Sequence, residues 1–308
     1  MERVRRLSRL WNWLPAFRAV GESCHLPSAS RAFLLSAPAL SRAVKQLERD
    51  LGVALFARSG RRIELTDPGR RLLDALRMAM RTLDEAVEHL ASDEMVGPVH
   101  IGSVGAFTTA VLVPALAAMR RQHPRLLAQV STPRVDVAGA LTRGDLDICF
   151  HGPDATLHGQ RGLVTMPLGT VRNHVYCGKG HPLFGKRRVA TSRVLGFPFV
   201  APPLDASGKP LDGWPVPVPR TVALQVDQLR VGLEICMQGD LLAVLPEWLA
   251  EPAPLTPLLW RLPFEGIVED VLLATHRTRI PGQRTRADVV LAHVQAALAD
   301  RQRRSRRP

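Results

Sequence analysis

Between Ser36 and Arg62 the chain carries two groups of residues able to meet a polyanion. The first is Ser36-Ala-Pro-Ala-Leu-Ser-Arg42, with Lys45 following. Leu40, Val44 and Leu47 recur at i, i+4 and i+7, so they share the one face of a helix that must pack inward. Ser36 is a good N-cap and Pro38 suits the first turn. Ala37, Ser41, Arg42 and Lys45 point elsewhere. Small residues let such a helix approach a groove, and Arg or Lys can contact phosphate or guanine. An ordinary solvated helix could carry the same face, so this helix alone does not decide. The second group is Arg58-Ser-Gly-Arg-Arg62. It sets Arg58, Arg61 and Arg62 at a Ser-Gly turn between Leu51-Gly-Val-Ala-Leu-Phe56 and Ile63-Glu-Leu65. Short apolar segments around such a turn predict a hairpin, and its basic tip makes a wing that reaches the backbone or minor groove.

Other chemistries lack their residues. No G-x-S-x-G, G-x-G-x-x-G, G-x-x-x-x-G-K-[ST] or H-E-x-x-H occurs, and Gly178-Lys-Gly-His181 has no upstream phosphate-loop pattern. The ten histidines include no pair at metal-binding helical spacing near carboxylates. No catalytic residue, metal or cofactor is therefore expected. The four cysteines, Cys24, Cys149, Cys177 and Cys236, form no C-x-x-C pair. Buried, reduced thiols are the simplest account, with a redox sensor as the alternative. A formal charge of +13 favours a nucleic-acid partner, although a merely Arg-rich soluble chain would share it. The last eight residues hold five Arg and no acid, a tail that would add non-specific phosphate attraction. No run of 18 apolar residues is present, so no membrane partner is expected. The basic start, Met1 to Leu10, lacks the apolar stretch of a secretory signal.

Several elements must position these residues. Helices are expected over Leu14 to Val20 and Pro27 to Phe33, ahead of the one capped by Ser36. Residues 66–92 read as a single long helix, capped by Thr66 with Pro68 in its first turn. Along it Leu73, Leu76, Met80, Leu83, Val87 and Leu90 form an a/d stripe among charged residues. The stripe could pack on its own domain or pair two chains. Its narrowness, and the separate domain beginning after Gly97-Pro98, favour a dimerising coiled coil. From Val99 onward the pattern alternates. Strands are expected at Val99 to Val104, Leu126 to Ser131, Asp145 to Phe150, Asn173 to Cys177, Thr221 to Val226, Leu241 to Leu245 and Val271 to Ala274. Helices lie between them at Thr108 to Gln122, Val135 to Arg143, Gln228 to Gln238 and Pro246 to Leu249, with a last one at Arg284 to Ala299. That alternation predicts an α/β domain with a largely parallel sheet.

The ordered run Ser36-Ala-Pro-Ala-Leu-Ser-Arg42, Leu47-Glu48, Leu51-Gly52, Leu55-Phe56, Arg58, Leu65-Thr66 and Gly69 resembles LysR-type transcriptional regulators. The likeness is close over about residues 10–72. It continues more loosely through Val99-His-Ile-Gly102, Gly144-Asp-Leu-Asp147, His181-Pro-Leu183 and Gly239 to Pro246. The resemblance implies a winged helix-turn-helix at 9–66, with the helix-turn-helix itself near 25–44, and a dimerising linker helix at 67–92. At 97–308 it implies an effector-binding α/β domain like the periplasmic solute-binding proteins. That domain would have one subdomain from 97–166 and 267–308 and another from 167–266. Family members are cytoplasmic homodimers or homotetramers. Their partners would be operator DNA, a small-molecule effector, anionic on this reading, and RNA polymerase. Ala37 stands where the family often has Gln, so no bidentate amide can read adenine there, though contact with a thymine methyl remains open. Gly21 and Pro27 also depart from the commoner Ala and Thr.

Such folds bind ligands in a crevice where strands end and helices begin. Ser103, Val104 and Thr108 stand at the end of the first strand, and Ser131 and Thr132 at the end of the second. Pro202 and Asp227 would face them from the other subdomain. Free N–H groups and hydroxyls there would suit an anion. Each of these residues could equally be a capping or turn position, Asp227 above all. A small-molecule-binding protein or α/β enzyme without DNA regulation is the competing reading, but it leaves residues 1–92 unexplained.

Overall fold

A computed structural model describes residues 8–59, 62–91, 95–133, 136–154, 156–204, 208–250, 255, 257–278 and 284–305. The chain divides into two compact units. One comprises Met1–Asp93 with Thr142–Asp145, the other Glu94–Leu141 with Leu146–Pro308.

The first unit opens with α1 (Leu14–Ser23), α2 (Leu26–Phe33) and α3 (Ala37–Leu51). Ser36 caps α3 as expected, its Oγ accepting the Ala39 N–H at 3.3 Å. Leu40 and Leu47 are fully buried and Val44 nearly so, against Phe17, Val20 and Leu55. Gly21 leaves room for Leu73: a Cβ there would stand 3.1 Å from the leucine's methyl. The wing is β1 (Phe56–Ser59) paired antiparallel with β2 (Arg62–Leu65), Phe56 opposite Leu65. Its first strand begins later than the apolar run implied. Leu51 closes α3, and Gly52, at φ +69°, turns the chain.

The wing leads into α4 (Asp67–Ala91). Thr66 Oγ1 accepts the Gly69 N–H at 3.1 Å and donates to Ala54 O at 2.8 Å. Gly69 is needed because a Cβ would lie 2.1 Å from Leu55 O. The apolar stripe of α4 then divides. Leu73 and Leu76 are buried in the unit's own core and Met80 packs on it. Leu83 and Val87 are 46% and 62% exposed. The side chain of Leu90 lies outside the described residues. So the single-domain packing describes the first half of the stripe, and only the second half remains open.

The second unit holds two five-stranded sheets. The first contains β3 (Gly97–Ser103), β4 (Leu126–Ser131), β5 (Ile148–His151), β6 (Leu163–Val171) and β12 (Asp270–Arg277), in the order β4-β3-β5-β12-β6. The second contains β7 (Asn173–Gly178), β8 (Phe199–Ala201), β9 (Val222–Gln225), β10 (Leu242–Pro246) and β11 (Leu259–Arg261), in the order β11-β7-β10-β8-β9. Neither sheet is the largely parallel one expected. β12 runs antiparallel to β5 and β6, and β7 antiparallel to β10 and β11. These are the strands by which the chain re-enters or begins a sheet after crossing over. β6 keeps the chain in the first sheet as far as Val171, beyond the crossing expected at 166.

Helices cover both sheets. They include α5 (Val113–Gln122), α6 (Val137–Arg143), α7 (Thr191–Leu195), α8 (Leu229–Gln238), α9 (Glu247–Ala250) and α10 (Arg286–Ser305). Val111, Leu112 and Met119 pack with Val290 and Val294 of α10 over Ile101 and Ile148. In the second sheet Val175, Cys177, Leu242 and Val244 enter one core, and Tyr176, Ala243 and Leu245 the other. Burial on both faces explains why Leu241 to Leu245 is a continuous apolar run without alternation. Asn173 joins the two crossings, its Nδ2 donating to Val268 O at 3.2 Å.

Gly69→Ala is expected to destabilise the N-terminal unit by about 2 kcal/mol, the scale of forced overpacking. Hydrogen exchange over α3 and α4 reads this directly. Unchanged protection would show that the helix start can move away from Leu55.

Candidate functional site

The face of α3 opposite its buried leucines carries the residues expected to touch DNA. Ser36, Pro38, Arg42 and Lys45 are exposed, and Ala37 and Ser41 are half-buried. Neither Arg42 nor Lys45 has an ion-pair partner among the described residues. Arg49, which the sequence reading passed over, extends this basic row one turn further and is held by Gln46 Oε1 at 2.6 Å. Its signal was present as cations at 42, 45 and 49. Arg58 and Arg62 lie in β1 and β2, which places the wing beside the end of α3. Their side chains, and Arg61 altogether, lie outside the described residues.

The position of the wing is set by Glu48. Its Oε1 accepts the Leu55 N–H at 2.8 Å and the Phe56 N–H at 3.1 Å. Two charge-assisted bonds from one carboxylate fix the hairpin to the helix whose face it flanks. α1 is braced against α4 in a similar way: Arg77 engages both carboxylate oxygens of Glu22, which holds the Glu22 carboxyl below its usual range.

In the second unit a cleft of about 390 Å³ opens between the two sheets. From the first sheet come Val104, Phe107, Phe150, His151 and Asp270. From the second come Pro202, Val226, Asp227 and Leu229, with Trp248 and Asp212 beside them. Of the seven expected contacts, the structure brings Val104, Pro202 and Asp227 to this cleft. Ser103 is buried and bonded to Thr108, oxygen to oxygen at 2.8 Å, and neither lines the space. Ser131 and Thr132 end the edge strand β4, exposed and away from the lining. Asp227 does not cap α8: the N-cap is Gln228, and no side chain caps that helix.

The polar groups that the sequence reading missed come from the crossings and from β12. Asp212 and Arg220 form a buried two-point pair, at 2.8 Å and 3.0 Å. The guanidinium also lies over Trp214, 4.5 Å from the ring centre. Burial pushes the Asp270 carboxyl up, Asn173 opposes this by hydrogen bonding, and the Asp212 charge adds to it. Burial holds His151 below its usual value, so its ring is neutral at pH 7. Nδ1–H then donates to Gly152 O, and Nε2 accepts from Thr275 Oγ1 at 2.7 Å. Among the described residues, no Lys or Arg lines the cleft. These positions carry no motif in sequence, since each acquires its role only when two distant segments meet.

Residues 11–70 match the family model of bacterial regulatory helix-turn-helix proteins of the lysR family, and residues 92–299 match the LysR substrate binding domain. A probable hydrogen peroxide-inducible genes activator from Mycobacterium xenopi is 35% identical over 179 residues, spanning 57% of this chain and 93% of that protein. The SDS degradation transcriptional activation protein of a Pseudomonas strain is 28% identical over 243 residues, 75% of this chain and 76% of that one. The solved structure of ArgP from Mycobacterium tuberculosis superposes with a TM-score of 0.69 at 18% identity, covering 93% and 96% of the two chains, a likeness of fold. With both of its domains matched across most of its length, the chain belongs to the LysR family of transcription regulators.

Proposed function

We propose that α3 enters the major groove through Ser36, Ala37, Pro38, Ser41, Arg42 and Lys45, and that the wing arginines Arg58, Arg61 and Arg62 hold the flanking backbone. The observation that carries this reading is that Arg42 and Lys45 are exposed and without an ion-pair partner among the described residues, on a helix whose opposite face is committed to the core. The open end of the α4 stripe, Leu83 and Val87, supports pairing of two chains through that helix. Pairing would present two reading heads to a two-fold operator. A small molecule in the cleft between the sheets would then bias the arrangement of those heads. Cytoplasmic residence and contact with RNA polymerase follow from the same reading.

A peroxide response of the kind named for the Mycobacterium xenopi relative is not expected to run through Cys149, Cys177 or Cys236. Peroxide reacts with thiolates, and burial pushes the Cys149, Cys177 and Cys236 thiols up to about 12. A sensor needs an accessible low-pKa thiol, and these three are buried.

Two measurements test this function. In gel shifts on operator DNA, Arg42→Ala and Lys45→Ala should each weaken binding, and loss of one phosphate contact should reduce the slope of log K against log salt by about one. Unaltered affinity and slope in the double variant would remove α3 from the interface. In a Cys24→Ser variant, treatment with hydrogen peroxide should leave DNA affinity unchanged and form no disulfide among Cys149, Cys177 and Cys236, checked by intact mass under non-reducing conditions. A loss of two hydrogen atoms coupled to altered affinity would restore the peroxide reading.

A further inference from the structure

We propose that the effector of this protein is a small organic cation, an amine carried on an apolar body, held in the cleft between Asp227 and Asp270. The inference rests on the reading of that cleft as the effector site.

The two carboxylates reach the cleft from opposite sheets: Asp270 opens β12, and Asp227 stands in the turn between β9 and α8. Neither has a cationic partner among the described residues. The third cleft carboxylate, Asp212, is different, because Arg220 neutralises it from behind. With His151 neutral and no Lys or Arg in the lining among the described residues, the site offers two carboxylates without a cationic partner and no cation to balance an acid. The hydroxyls expected to receive an anion do not line the cleft. Ser103 and Thr108 bond each other, and Thr109 Oγ1 donates to Ala106 O at 3.2 Å.

The remaining lining is apolar and aromatic. Phe107 and Phe150 stack with ring centres 5.0 Å apart, and Val226 and Leu229 face them. Such walls accept a hydrocarbon body, and ring faces also favour a cation. A metal ion is the poorer occupant, since no three acidic, His or Cys groups converge on one point among the described residues. Burial raises the Asp270 carboxyl, and an ammonium placed beside it would favour its charged form and be attracted to it.

The test uses the full chain and matched probes: hexylamine against hexanoate, and phenethylamine against 3-phenylpropanoate, in thermal shift. The amines should raise Tm and the acids should not. Asp270→Asn and Asp227→Asn should each weaken the amine effect by about tenfold in apparent Kd. Stabilisation by the acids, by neither series, or by amines equally in both variants would overturn the proposal. A gel shift on the same wild-type preparation separates the two levels. Protein that binds operator DNA but responds to neither series loses only the cationic effector, whereas protein that binds no DNA loses the regulator reading itself.

Discussion

One junction in the N-terminal unit carries the rest: the contact of Leu55 with Glu48, Thr66 and Gly69. The Glu48 carboxylate receives the Leu55 N–H, Leu55 O accepts the Thr66 N–H at 3.0 Å, and Gly69 brings the start of α4 against that same carbonyl. Recognition helix, wing and linker helix therefore share one point. If Glu48 were lost, two backbone donors would be left without their acceptor, at a cost of about 1–3 kcal/mol each when buried. The wing would lose its register to α3. The relative placement of α3, the wing and the start of α4 is thus set by a carboxylate, a hydroxyl and a missing side chain.

The second unit solves a different problem. Two sheets joined by two crossings must keep a cleft of small-molecule size between them. Asn173 links the crossings through Val268 O, and Val268 N–H in turn bonds Gly213 O at 2.8 Å. Gly213, at φ +74°, has no room for a Cβ against that same Val268 O. The Asp212–Arg220 pair, stacked on Trp214, anchors the neighbouring loop. The result is a rim on which Asp212 is paired with Arg220, while Asp227 and Asp270 have no cationic partner among the described residues.

Much of this was legible in the sequence because the signals are local. The 3-4 spacing of Leu40, Val44 and Leu47, the Ser36 cap and the Thr66 cap each state their role within one or two helical turns. Four of the residues that carried the resemblance, Glu48, Leu55, Thr66 and Gly69, meet at this junction. What escaped was non-local or short. β6 contains Pro167 and Gly169, which read as breakers, yet it lies at a sheet edge where a proline is tolerated. A bulge absorbs Leu168 opposite Leu272 and Leu273. β8 and β11 have three residues each, too few to show a period. The α4 stripe has one period along its length but two environments, which spacing alone cannot separate. The cleft carboxylates are 58 residues apart in sequence at Asp212 and Asp270, and only folding joins them.

The most direct measurement is selection of sheared genomic DNA from the source organism by the purified full-length protein, followed by sequencing of what is retained. A paired winged helix-turn-helix predicts strong enrichment of a few discrete sites that share a two-fold symmetric motif, with half-sites separated by about one or more helical turns. Retention of fragments in proportion to their length alone, with no common motif, would mean that the basic face binds phosphate without reading sequence, and would contradict assignment of α3 as a recognition helix.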